Sequence, residues 1–280
     1  MTSDLLDKPF GDLPEGETLN FKDSKIEAVI VEIRYTEIKS SSLGNSAGKL
    51  LNAFSKYGVS QIESAEQHNV NVNLGKDGKS ESQIQITDKG WQISDPEKSI
   101  VITLMSSMAS LQFRTYERWS VSVLPQLESL LSITKEVLNP EMSTRIGLRY
   151  VNRLIGNVGG PADQWRGRVE SSFLGPIEYP LLGNLVREAH QILRFELEPG
   201  VFAVLRHGPL ADVESGLGSY IVDIDVSVER AVDFEPTVVL QLAQRLNRTA
   251  FSIFKLVLSK EELQQMEKVA FRATETDERK

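Results

Sequence analysis

Arg145, Arg149 and Arg153 recur every fourth residue within RIGLRYVNRL, a stretch that alternates polar and apolar side chains. Read as a strand, it turns Ile146, Leu148, Tyr150, Asn152 and Leu154 to one face. The arginines share the other face with Gly147 and Val151, each about 13 Å along the backbone from the next. Guanidinium forks match the geometry of phosphate and carboxylate oxygens. Further along, Asp223 and Asp225 share one face of a second alternating stretch, about 7 Å apart. Two carboxylates at that spacing can place a divalent cation or exchange protons. One chemistry is therefore a phosphate-ligand or nucleotide-binding sensor or hydrolase. In it Arg145, Arg149 and Arg153 hold anionic groups and Asp223 and Asp225 place a metal.

A structural reading competes with it. A strand carrying Asp223, Asp225 and Glu229 can lie in the same sheet as Arg149 and Arg153. Opposite charges across strands stabilise pairing by about 0.2–1 kcal/mol each. Arg194, Glu196 and Glu198 would add rungs. The arginines are too widely spaced to close on one phosphate unless they lean together, which favours a mutual ladder over an open site.

Other motifs fail on spacing or context. Gly44-Asn45-Ser46-Ala47-Gly48 has the pattern of a nucleophile elbow, but no strand runs directly into it; Lys39-Ser40-Ser41-Ser42 intervenes. Gly48-Lys49 resembles the end of a phosphate-binding loop. Leu43 stands where the first glycine is needed, and Leu50 where the magnesium-binding hydroxyl is needed. His68, His190 and His207 are the only histidines and none is at metal-ligand spacing from another. With no cysteine, thiolate zinc sites, thiolate-held iron–sulfur clusters, disulfides and thiol nucleophiles are excluded. No catalytic residue, resident metal or cofactor is assigned.

The chain has 280 residues, 40% hydrophobic and 25% charged, and a formal charge of −8. That length fits one large domain or two smaller ones, and the charge argues against a general nucleic-acid binder. Residues 1–16 lack the charged start and apolar core of a signal peptide, and no run approaches the roughly 18 apolar residues of a membrane span. A cytoplasmic protein with no membrane contact is expected.

The elements that must position these residues follow from periodicity. Alternation predicts strands over 26–38, 60–66, 84–87, 91–94, 99–105, 110–115, the arginine strand, 190–198, 201–206 and 219–229. Asp88-Lys89-Gly90 reads as a hairpin loop, and 69–82 as a mobile polar loop. Helical spacing predicts a short helix over 49–57 stopped by Gly58, and a long one over 116–133 kinked or divided at Pro125. A last helix opens at Pro236 with an apolar stripe of Val239, Leu242, Leu246, Ala250, Ile253 and Val257. Its polar side carries Gln241, Arg245 and Arg248, which would enlarge the basic area if the helix packs beside the arginines. Ser259 and Glu262 form a capping box for a terminal helix. The order of elements suggests an α+β fold of two similar halves, each a mainly antiparallel sheet with a long amphipathic helix on one face. The boundaries are a flexible segment 1–24, halves at 25–134 and 135–270, and a disordered tail at 271–280.

In order along the chain, IEAVIVEIRY at 26–35, YERW at 116–119, RIGLRYVNR at 145–153, SYIVDIDV at 219–226 and the final helix running into LSKE at 258–261 resemble a sporadically distributed family of uncharacterised bacterial proteins. The Arg-x-Gly-Leu-Arg-Tyr-x-Asn core, Arg145 to Asn152, is the most specific part. The resemblance brings no established activity. Patchy occurrence implies accessory genes, such as defence or toxin-linked modules. The family's terminal helix tends to carry a histidine; Leu246-Asn247-Arg248 has none, so no catalytic role for it carries over. The leading expectation is a non-enzymatic, protein-binding module, an accessory or antitoxin-like subunit with a protein partner.

Overall fold

A computed structural model describes residues 8–14, 25–38, 43–44, 46–74, 80–156, 162–210 and 218–266, leaving aside the side chains of 68–85 and 87. Most of the expected flexible segment 1–24 and all of the expected tail 271–280 lie outside the described residues. The fold is α+β, built on one ten-stranded antiparallel sheet. Strand β1 (Ile26–Tyr35) buries Val29, Val31, Ile33 and Tyr35 and turns the alternate residues outward. Helix α1 (Ser46–Phe54) follows, extended by a 3-10 turn, Ser55–Tyr57. Gly58 ends it at φ +81°, a left-handed conformation that a side chain would strain. Strands β2 (Gln61–Leu74), β3 (Ser80–Ser94), β4 (Ile100–Met105) and β5 (Met108–Phe113) then run back and forth towards β1.

A π-helical turn, Trp119–Val123, leads into α2 (Leu124–Val137), so Pro125 divides the helix and sits in the first turn of its α-helical part, where a missing N–H costs little. The arginine strand is β6 (Met142–Ile155). Short helical turns, Ser171–Leu174, Gly175–Glu178 and Gly183–Leu185, precede β7 (Gln191–Glu198), β8 (Val201–Leu210) and β9 (Ser219–Val228). The two-residue β10 (Val232–Asp233) adds to the start of β6, and α3 (Pro236–Val257) follows.

The sheet order is β2-β3-β4-β5-β1-β6-β9-β8-β7. Each part of the chain lays down a central strand, β1 or β6, crosses to an outer edge, and returns strand by strand to pair beside it. The two parts share this sheet through the β1–β6 pairing, which runs from Ile26 opposite Asn152 to Tyr35 opposite Ser143.

Two sequence expectations are corrected. Asp88-Lys89-Gly90 is not a hairpin loop but lies inside β3. Gly90 is needed for close approach between strands, since a β-carbon there would lie 2.0 Å from the Leu104 carbonyl oxygen. Asp88 accepts bonds from the backbone N–H and the hydroxyl of both Ser106 and Ser107, locking the β4–β5 turn. Much of 69–82 is strand as well, with Val70 opposite Ile84 and Val72 opposite Ser82.

The helices cover one face of the sheet. The α3 stripe expected from sequence is buried throughout, and Tyr150 of β6 donates to Asn247 of α3 at 2.6 Å. Residues 8–14 join this layer: Phe10 is fully buried, and its N–H donates to Thr249 Oγ1. Ser259 Oγ accepts from the Glu262 N–H, the cap that opens the helical turn at 260–266. Among the described residues no helix is long and apolar enough to cross a membrane.

Candidate functional site: the charged face of the sheet

Strand registers place the opposite, helix-free face in rows. Ala28, Val151, Asp223, Arg206 and Ile192 stand side by side across β1, β6, β9, β8 and β7. The next row is Ile30, Arg149, Asp225, Val204 and Arg194, and the third is Glu32, Gly147, Ser227, Phe202 and Glu196. The predicted arginines and aspartates are therefore brought onto one surface.

They are paired with each other. Arg149 forks onto Asp223, its Nε and Nη2 each donating at 2.7 Å to a different carboxylate oxygen. Its register neighbour is Asp225, so the bond runs diagonally. The hydrogen bond to Asp223 raises the Arg149 pKa against the opposing effect of burial, and the charge stays fixed. Arg145 lies between two strands: Nη1 donates to Glu32 on β1 at 3.0 Å, and Nη2 to Asp225 on β9 at 3.0 Å. Its Nε is 3.8 Å from Glu229. Gly147 makes room for that side chain, since any β-carbon would sit 2.1 Å from Arg145 Nη1.

Arg153 differs from expectation. It bonds Glu27 of β1 and donates to Ser219 Oγ at 2.9 Å, not to the aspartates. Opposite it on β9 stands Ile221, and the diagonal neighbour Asp223 is already taken by the Arg149 fork. Of the other predicted rungs, Arg194 comes within 3.6 Å of Glu229, and Glu196 accepts from the Gly200 N–H. Glu198 leaves the face altogether. A register shift between Glu196 and Glu198 turns its carboxylate to the helix layer, where it accepts from Arg245 Nη2 at 2.7 Å. Arg245 in turn is buried over the Phe10 ring, 3.8 Å from its centroid. It therefore does not enlarge the basic area; α3 packs on the far side of the sheet from Arg149.

Three members of the network are not evident from sequence. Glu32 lies visibly on the polar side of β1, whereas Glu27 has the parity of the buried residues and reaches Arg153 at a register shift between Ile26 and Ala28; nothing local says that β1 neighbours β6. Arg206, 3.5 Å from Asp223, sits in a stretch that reads only as a returning strand.

The motifs that fail on spacing also fail on geometry. Ser46 is buried and its hydroxyl donates to the Leu43 carbonyl at 2.7 Å, so it cannot present a nucleophile. Asn45 of that motif lies outside the described residues. Lys49 is paired with Glu136 at 2.6 Å. His190 is exposed beside Glu188. His207 is buried in the helix layer against Tyr220 and Phe173, with Nδ1 2.8 Å from Tyr220 Oη and no hydrogen-bond partner for Nε2. Burial pulls its pKa from 6.5 to about 4, so it is neutral at pH 7. The His68 side chain is outside the described set. Among the described residues no group of three or more His, Asp or Glu could hold a metal ion.

No protein-family profile, no curated protein and no solved structure matches this chain.

Proposed function

We propose that the protein is a non-enzymatic binding module whose helix-free sheet face receives a protein partner. The observation that carries this reading is the pairing of the arginines with the protein's own acids. Arg149 and Asp223 satisfy each other in two bonds, and Arg145 lies between Glu32 and Asp225. A phosphate ligand would have to displace these carboxylates, which are already held at charge-assisted distances. The surface that results is internally neutralised, with Ile30, Val151, Val204 and Phe202 only partly covered among the ion pairs. Such a mixture of apolar area and fixed charges of both signs suits a protein surface better than a small anion.

In this reading the chain is an accessory or antitoxin-like subunit of a bacterial defence or toxin system, acting in the cytoplasm and belonging to the resembled family. Its two halves are similar units, as the shared order of central strand, crossover and returning strands supports. The test is a quantitative pull-down from the source organism with wild type and with Val151→Glu and Val204→Glu. A partner retained by wild type and lost by both variants supports the reading. Equal retention by all three proteins sinks it. Stabilisation of the wild type by nucleotides or phosphorylated metabolites, abolished by Arg149→Ala, would favour the phosphate alternative instead.

A further inference from the structure

The outer strand β7 is the end of the sheet, and among the described residues nothing pairs with its free side. Edge strands of soluble proteins are usually blunted by lysine, proline or a covering element. This one, QILRFELE, contains neither residue. Ile192 is 67% exposed, and Leu193 and Phe195 are each 37% exposed. The last two belong to rows that are buried everywhere else. Phe195 continues the row Val31, Leu148, Val226 and Ala203, and Leu193 continues Val29, Tyr150, Ile224 and Leu205. Helix α3 packs on β6 and β9, so these rows run out of cover at β7.

The strand is also complementary to itself. Ala189 donates to the Pro209 carbonyl, in the same register that pairs Gln191 with His207. Antiparallel alternation then turns the backbone groups of the odd-numbered residues towards β8 and those of Ile192, Arg194 and Glu196 outward. Two copies laid antiparallel with Phe195 on the two-fold axis place Arg194 of each opposite Glu196 of the other, in hydrogen-bonded positions. The two Phe195 rings meet at the axis. Any register shifted by two residues puts Arg194 opposite Arg194 or Glu196 opposite Glu196.

We propose that β7 is a self-pairing edge through which two copies of this chain join into one continuous sheet, related by a two-fold axis at Phe195. Such a contact is isologous and closes at two subunits. It covers the exposed end of the Phe195 row and doubles the width of the charged face. The proposal does not depend on the partner-binding reading, because it concerns the strand edge and not the face.

The charges supply the test. Sedimentation equilibrium of the full chain should report a monomer–dimer equilibrium. Arg194→Glu alone or Glu196→Arg alone sets like charges opposite each other, and each should weaken the dimer about tenfold or more. The double variant restores opposite charges and should recover the wild-type constant, which a merely unfolded or damaged edge would not do. A second measurement uses the absence of cysteine. Phe195→Cys on the axis forms a non-hydrogen-bonded pair with Cα atoms about 4.5 Å apart, within disulfide reach, and should cross-link on oxidation. Ile192→Cys should not, since it lies three residues from the axis and its own copy is far along the antiparallel partner strand. A monomeric wild type, a dimer indifferent to the single changes, a double variant as weak as the singles, or cross-linking at Ile192 instead of Phe195 each overturns the proposal.

Discussion

The guanidinium of Arg145 lies across the α-carbon of Gly147, two residues along its own strand, and this places one side chain between carboxylates of two neighbouring strands. The glycine is the reason the arrangement is possible. A methyl group at Gly147 meets the far end of a flexible side chain, so the backbone holds and Arg145 must swing away. Gly147→Ala should therefore cost about 1–2 kcal/mol, the net value of the partly buried charge-assisted bonds that Arg145 loses. In an Arg145→Ala background the same change should cost close to nothing. Urea denaturation of the four proteins of this cycle checks the coupling; additive effects would exclude it.

Asp223 is the acid on which two arginines depend. Its side chain is 7% exposed, with Arg149 forked onto it and Arg206 3.5 Å away. Asp223→Ala leaves two half-exposed guanidinium groups facing each other across one strand. It should destabilise by about 2–3 kcal/mol, more than Arg149→Ala, which leaves Asp223 still next to Arg206. Thermal unfolding of both variants in low and high salt tests the order. Salt should narrow the difference by screening the repulsion.

His207 makes stability depend on mild acid. In the unfolded chain its pKa is near 6.5; in the fold burial holds it at about 4. The unfolded state therefore binds the proton first as pH falls. The His207 contribution is intact above about 6.5, declines as pH drops from there to about 4, and then levels off, a total of ~3 kcal/mol. Asp88 acts in the same direction lower down. Burial would raise its pKa, but the Ser106 and Ser107 hydroxyls and the Lys89 and Ser106 N–H groups outweigh that and hold it below the ordinary carboxylate value. Its contribution is present above the unfolded-state pKa and is lost as pH falls through the folded one. Comparing unfolding free energies at pH 7 and pH 5 in wild type and His207→Phe separates them. The pH 7 to 5 loss should shrink in the variant, because the titrating ring is gone.

Phe10 fastens a distant stretch of chain to α3. It lies fully buried beneath the Arg245 guanidinium, which also donates to the Lys8 and Pro9 carbonyls and to the Glu198 carboxylate. Phe10→Ala should cost about 3–4 kcal/mol through the cavity and the loosened cation. Limited proteolysis provides the readout: cleavage before residue 25 should accelerate in the variant, while the rest of the chain keeps its pattern.

Alternation along the strands makes part of the charged face legible in the sequence. A period of two residues separates Arg145, Arg149 and Arg153 from Leu148 and Tyr150 without ambiguity, and the same period sets Asp223 and Asp225 against Val222 and Ile224. What alternation cannot supply is the neighbour. That β1 lies beside β6 depends on pairing Ile33 with Ile146 across the chain, and with that pairing come Glu27 and Glu32. Pairing is also diagonal, so Arg149 reaches Asp223 past its register neighbour. Arg245 misleads for a related reason. It stands on the polar side of an amphipathic helix, but Phe10 and Glu198, both far from it in sequence, close over it. Gly90 misleads because glycine marks both turns and tight strand contacts, and only the position of Leu104 distinguishes them.

The seam between β1 and β6 has a consequence for how the chain is made. While β1 to β5 can pair as soon as they leave the ribosome, one side of β1 stays open until residues near 154 have followed it out. More than a hundred residues of synthesis separate the two sides of the seam, a long interval for the bare edge of a nascent sheet. Glu27, Glu32 and Arg34 line that edge. The same charges that later answer Arg145 and Arg153 serve, during translation, as its guard against the wrong neighbour.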